Sequence, residues 1–270
     1  EPGEVVMGNV ISAGIGQAPA RQAAIAAGIP PTVGATTVNK VCGSGMKAVM
    51  MVGQSIRLGE VALGVAGGME SMSKAPFLLD KARSGYRYGN STLADAILVD
   101  GLLDPYSGVH MGDCGELCAE THQISREQQD EYAIRSYQNA AAAQASGAFA
   151  GELVTIEGVA GDEEPGRAKL DKVAKLKPAF KAGGTITAAN ASKLNDGAAA
   201  LVLGSAKGAA GRKALARIVG WSTFAQEPKW FTTAPAAAID KLLKTVSWSK
   251  DSVDLFEVNE AFSVVALAVA

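Results

Sequence analysis

Residues 36–66 read TTVNKVCGSGMKAVMMVGQSIRLGEVALGVA, and the change of period inside this stretch decides the fold class. Thr36 to Val41 is rich in β-branched residues and predicts a strand. After Cys42-Gly43-Ser44-Gly45 the apolar residues move to helical spacing, with Met46, Val49, Met50, Gly53 and Ile56 along one face. Gly59 ends that helix. Val61 to Ala66 is a continuous apolar run, consistent with a buried parallel strand. Strand, helix and strand in this order make a βαβ unit, which predicts an α/β protein.

The alternation extends outward. Val5 to Met7 is a short apolar strand, and Ala18 to Ala27 is a helix stopped by Gly28, Pro30 and Pro31. From about Ser73 to Asp113 the texture shifts to Gly, Tyr, Ser and Asp with weak periodicity, which predicts an excursion of long loops. Ser125 and Gln128 form a capping-box pattern, so a helix is expected from there to about Ser146, closed by Gly147. Residues 157–185 are loop-like, and Gly197 to Leu203 reads as buried again. A second block echoes the first. Ala216 to Trp221 is strand-like, and Thr233-Ala-Pro-Ala opens a helix as Gln17-Ala-Pro-Ala does. Val253 to Val258 reads as a strand, followed by Asn259-Glu-Ala-Phe and an apolar helical segment. The order suggests an internal repeat: two halves packed face to face, with Cys42 and Asn259 at comparable strand-to-helix junctions.

Composition narrows the function. The chain has 270 residues, 48% of them hydrophobic and 19% charged, enough for one large domain or two smaller ones. A net charge of -2 leaves no basic excess to neutralise phosphates, which argues against nucleic acid. The densest basic stretch, Arg167 to Lys181, reads as a solvated loop or as a site for a small anionic ligand. Three cysteines fit a reducing compartment better than a disulfide framework. Cys114 and Cys118 share a helix face and, with no further ligand at metal spacing, read as small buried apolar side chains. No apolar run reaches membrane-spanning length. A cytoplasmic protein is expected; the mitochondrial matrix is the alternative, since a targeting segment would precede Glu1.

Cys42 is the candidate nucleophile. A helix N-terminus lowers a thiol's pKa through unpaired N–H groups and the positive end of the dipole. Gly43 and Gly45 leave room for a substrate, and the Cys42 N–H can face a developing oxyanion. The alternative is a buried structural cysteine.

The wider string, Val38-Asn-Lys-Val-Cys-Gly-Ser-Gly-Met-Lys-Ala-Val, resembles the nucleophile segment of the thiolase family. Gly67-Gly-Met-Glu-Ser-Met-Ser, His110-Met-Gly, Asn190-Ala-Ser-Lys-Leu-Asn-Asp-Gly and Asn259-Glu-Ala-Phe resemble its other landmarks, in family order. The resemblance spans residues 8–265 and is greatest to the short-chain, acetoacetyl-CoA branch. It implies the thiolase fold, an α/β fold of two similar αβαβα-type halves plus an inserted loop domain, here incomplete at both ends. The N-terminal half would take residues 1–73, with 194–215 returning to it. Residues 74–193 would be the loop domain and 216–270 the start of the C-terminal half.

The resemblance also implies roles. Cys42 would carry the acyl group, and Asn259 would hold a water that stabilises an enolate. His110 and Met111 would lie beside the thioester and pantetheine. Ser192 would touch coenzyme A, and Arg167 and Lys172 its nucleotide end. Acyl-CoA thioesters would be substrates of a Claisen condensation or its reverse, with no metal or redox cofactor. A homodimer or homotetramer is implied. A longer-chain 3-ketoacyl-CoA thiolase is the near rival.

Two departures stand out. Family members continue beyond Asn259-Glu-Ala-Phe with a Gly-His-Pro segment, whose histidine activates the nucleophile, and a Cys-Gly-Gly segment, whose cysteine moves the α-proton. Neither occurs in these 270 residues. A longer protein is therefore expected, the alternative being a truncated homologue that binds acyl-CoA without chemistry. Some relatives hold potassium with a tyrosine where Pro165 stands, so no such site is expected here.

Overall fold

Alternation along Val5-Val6-Met7 sends neighbouring side chains to opposite faces of one strand, and a separate core grows on each face. In the computed structural model, which describes residues 1–270, these cores belong to the first of two units, residues 1–105 with 194–221. β1 (Glu4–Gly8) is followed by α1 (Pro19–Ala26), β2 (Gly34–Val38), α2 (Ser44–Leu58) and β3 (Leu63–Ser71). β4 (Phe77–Leu78) and β5 (Ala94–Asp95) form a small hairpin, and β6 (Asp196–Gly204) completes the unit's strands. The main sheet has the order β2-β1-β3-β6. Its first three strands are parallel, and β6 runs antiparallel to β3.

Topology explains why the two helices cover different faces. The chain steps from β1 outward to β2, then back across β1 to β3. Right-handed crossovers in opposite directions place their helices on opposite sides of the sheet. Ala20 and Ala24 of α1 pack on Val5 and Met7. Ala48 and Val52 of α2 pack on Val6 and Ala66. Gly59 closes α2 with a left-handed φ of 78°, while Glu60 N–H bonds back to the Ser55 carbonyl.

The second unit is helical and comprises residues 106–193 with 222–270. It contains α3 (Met111–Thr121), α4 (Arg126–Ala145), the short α5 (Glu164–Arg167), α6 (Ala234–Val246) and α7 (Ser263–Val269). Its core joins Cys118 and Ala119 with Ile186, Phe262, Val264 and Val265. The Ser125–Gln128 capping box is formed in both directions, and Gly147 follows α4 with a φ of 71°. Cys114 and Cys118 lie on the buried face of α3, as expected of small apolar side chains. No helix is long and apolar enough to cross a membrane.

Four expectations need correction. Gly197 to Leu203 is not buried: Leu203 alone joins the core under α2, while Leu201 and Val202 are 54% and 67% exposed. β6 is an edge strand, bonded on one side only. Ala216 to Trp221 and Val253 to Val258 form no strands. β-propensity records a fit to a sheet surface, and neither segment has a neighbouring strand to pair with. The repeat therefore survives only in the helix that Ala234-Pro-Ala opens and in the helix after Asn259-Glu-Ala-Phe. The loop excursion also ends early, because α3 begins at Met111. The two units divide the chain at 105, 193 and 221; the three-part division implied by the resemblance concerns fold halves and is a separate matter.

Candidate active site

Cys42 lies in the turn from β2 to α2. The strand stops at Val38 rather than Val41 because the following residues close on themselves. Val41 N–H donates to Asn39 Oδ1 at 2.9 Å, and Lys40 N–H donates to Ser44 Oγ at 2.8 Å. The Ser44 hydroxyl donates to the Val41 carbonyl at 2.5 Å. These bonds hold Val41 at a φ of 48°, a left-handed conformation that costs a β-branched residue about 1–3 kcal/mol. α2 starts at Ser44 with Gly43 as its N-cap, so Cys42 stands just ahead of the helix rather than in its first turn. None of these bonds uses the Cys42 N–H, and the thiol is exposed. Gly8 sets the height of the turn. A Cβ there would come within 2.6 Å of Ser44 Cβ and 2.8 Å of Gly45 N, so only glycine lets the start of α2 rest on β1.

His110 is the N-cap of α3. Gly112 N–H donates to His110 Nδ1 at 2.9 Å, and His110 N–H donates to Asp113 Oδ2 at 3.0 Å. A ring nitrogen that accepts a backbone N–H carries no proton, so the neutral imidazole has its proton on Nε2, as a donor. Phe180 stacks on the ring at a centroid distance of 4.7 Å. That ring lies where a Gly112 Cβ would be, 2.3 Å from Phe180 Cδ2. Burial lowers the His110 pKa below its ordinary 6.5, and the Asp113 carboxylate opposes the shift. The unfolded chain therefore binds this proton more tightly than the folded one. The contribution to stability is complete above about pH 6.5 and is lost as pH falls through the folded value. Nitrogen-detected imidazole NMR should show a proton on Nε2 and a midpoint below 6.5; a midpoint above it would contradict this geometry. Met111 follows as the first residue of α3 and packs against the Ile186–Phe262 core.

The loop after Thr187 joins the segment around Asn259 by backbone bonds. Ser192 N–H donates to the Ala261 carbonyl at 3.0 Å, and Ser263 N–H donates to the Asn190 carbonyl at 2.8 Å. Asn190 is buried and organises its own turn, accepting from Thr187 N–H at 2.8 Å and donating to Asp130 Oδ1 at 3.0 Å. Ser192 and Asn259 are both exposed. Arg167 ends α5, exposed and paired with Glu163 at 3.3 Å. Lys172 lies exposed in the turn of 3-10 helix Leu170–Lys175. That turn is held by Arg126, whose guanidinium donates to the Val173 and Leu176 carbonyls at 2.9 and 3.1 Å. Cys42 thus belongs to the first unit, and the other six candidates to the second.

Comparison with known proteins shows the family. The pattern of the thiolase N-terminal domain matches residues 2–207, and that of the thiolase C-terminal domain matches residues 212–270. This chain belongs to the thiolase family. Acetyl-CoA acetyltransferase 2 of Arabidopsis thaliana is 54% identical over 98% of this chain and 69% of its own length. Acetyl-CoA acetyltransferase of Schizosaccharomyces pombe is 51% identical over 98% and 70%. A thiolase from Ascaris suum, solved in complex with coenzyme A, superposes with a TM-score of 0.96 at 43% identity, covering 99% of this chain and 71% of that one. The thiolase fold expected from the motifs is therefore present.

This thiolase also holds residues that motif reading left without a role. Tyr132 and Ser136 of α4 each donate a hydroxyl to the Glu260 carboxylate at 2.7 Å. Burial and the bond to Glu260 push the Tyr132 pKa up to about 12, so the phenol stays protonated and keeps donating. The two bonds pin the residue next to Asn259. Spacing on α4 places Tyr132 and Ser136 on one face, but no sequence pattern announces a partner 128 residues away. No group of three or more His, Cys, Asp or Glu side chains is placed to hold a metal ion.

Proposed function

We propose that this thiolase is an acetyl-CoA C-acetyltransferase, condensing two acetyl-CoA to acetoacetyl-CoA and coenzyme A or running the reverse thiolysis. The observation that carries this reading is the exposed Cys42 thiol on a strand-to-helix turn, in a chain 54% identical to a relative named acetyl-CoA acetyltransferase. The Cys42 thiolate attacks the thioester carbonyl of the first acetyl-CoA. The coenzyme A thiolate leaves, and an acetyl-Cys42 thioester remains. Exchange of one thioester for another is nearly balanced in energy, which suits a reversible acyl carrier. The second acetyl-CoA loses an α-proton, and its enolate carbon attacks the acetyl-Cys42 carbonyl. Acetoacetyl-CoA leaves, and the Cys42 thiolate is restored.

In the family's pattern His110 lies beside the thioester and pantetheine, and Asn259 holds a water that stabilises the enolate oxygen of the second acetyl-CoA. Met111 packs against the short acyl group and pantetheine. Ser192 contacts coenzyme A, and Arg167 and Lys172 face its nucleotide end. Activation of Cys42 and transfer of the α-proton need two further groups, which the family carries on its Gly-His-Pro and Cys-Gly-Gly segments.

Steady-state rates on acetoacetyl-CoA and on 3-ketoacyl-CoA substrates of increasing length test the assignment. The short substrate is expected to give the highest kcat/KM; a preference for long chains would replace this reading with that of a longer-chain thiolase. A homodimer or homotetramer in the cytoplasm is proposed with it, the mitochondrial matrix being the alternative compartment. Light scattering of the purified protein tests the assembly.

A further inference from the structure

Lys193 has no part in the roles above, yet its ammonium is held from four directions. It donates to the Ala188 carbonyl, and to the Ala191 carbonyl at 3.2 Å. It stands 3.7 Å from the Glu164 carboxylate and 5.6 Å from the centroid of the Tyr137 ring. The Tyr137 hydroxyl lies 3.5 Å from the same Glu164 oxygen. The Lys193 and Glu164 side chains are only 28% and 29% exposed, so the charges are screened less than a fully exposed pair.

The identity of the acceptors matters more than their number. A lysine paired with Glu164 alone would be an ordinary surface ion pair of little consequence. Here two acceptors are backbone carbonyls of the turn that Lys193 itself ends, and charge-assisted bonds to them fix the path of that turn. The turn contains Ser192. Glu164 opens α5, whose last residue is Arg167.

We infer that Lys193 is a positioning residue, a tethered cation that locks the Ser192 turn to α5 and so sets the affinity for coenzyme A. The inference rests on the proposed function, which assigns Ser192 and Arg167 to that ligand. It makes Lys193 a determinant of binding, with no contact to the reacting atoms.

The test uses full-length protein, calorimetric titration with coenzyme A, and kinetics on acetoacetyl-CoA. Lys193→Met keeps the length of the side chain and removes its charge. It should weaken coenzyme A binding and raise KM about fivefold to tenfold, with kcat within about twofold of the wild type. Lys193→Arg should recover most of the affinity, which a purely steric role would not produce. If Lys193→Met loses its melting transition, Glu164→Gln, which removes the paired charge alone, is titrated in its place with the same direction expected. Equal affinity in the wild type and the variant would overturn the inference and leave the proposed function standing. A kcat loss as large as the affinity loss would overturn it too, by moving Lys193 into the chemistry. Wild-type protein that binds no coenzyme A would overturn both.

Discussion

Replacing Cys42 by alanine should abolish the covalent acyl-protein and lower kcat by about a thousandfold or more, since the acyl group loses its carrier. The other two cysteines of these 270 residues are sterically closed. Cys114 and Cys118 are 2% and 0% exposed, inside the second unit's core, and burial raises the pKa of the Cys118 thiol. Folding should not suffer. The Cys42 side chain is exposed, and the bonds that shape its turn come from Asn39, Ser44 and the backbone. A surface change of this kind moves stability by about 0.5 kcal/mol or less. Intact mass spectrometry after mixing full-length protein with acetyl-CoA reads the result. Wild type should gain one acetyl group and Cys42→Ala none. An acetylated variant, or a variant with near-normal turnover, would sink the assignment of Cys42.

The second large effect concerns stability. Glu116 is 5% exposed in the middle of α3 and accepts four hydrogen bonds. Thr185 N–H reaches both carboxylate oxygens at 2.9 Å, Thr185 Oγ1 donates at 2.9 Å, and Ile186 N–H donates at 2.9 Å. Ile186 is fully buried in the unit's core, and Thr187 follows with the turn that Asn190 organises. Glu116→Ala would take the acceptor from the Thr185 and Ile186 N–H groups, the second of them fully buried, and leave a hole beside them. Unsatisfied donors cost about 1–3 kcal/mol each, so a loss of about 3–5 kcal/mol is expected. Glu116→Gln keeps the volume and one acceptor, and should cost less. Chemical denaturation gives the magnitude, and hydrogen exchange at the Ile186 amide locates it. An unchanged denaturation midpoint for Glu116→Ala would show that these bonds contribute nothing net.

Local pattern and outcome agree where the cause is local. The capping of α4 by Ser125 and Gln128 needs only neighbouring atoms, and it forms as the sequence predicts. The end of α2 at Gly59 is equally local. The helical cap at His110 has the same character, yet a histidine at an N-cap is harder to recognise than serine or aspartate. Val253 to Val258 has strand composition and no strand. Strand pairing is a contact with a distant part of the chain, and composition does not supply the neighbour.

The sequence by itself determined the α/β class, the helices with clear caps, the family and the nucleophile. These depend on residue type, on period and on motifs that lie contiguous along the chain. Tertiary structure alone decided that β6 is an exposed edge. It also decided that Phe180 stacks on the His110 ring, and that Glu260 and Lys193 are gripped by residues of α4 and α5. Each of these is set by atoms far apart in the chain and close in space. Hydrogen bonds and packing act over a few ångströms, whatever the distance along the sequence.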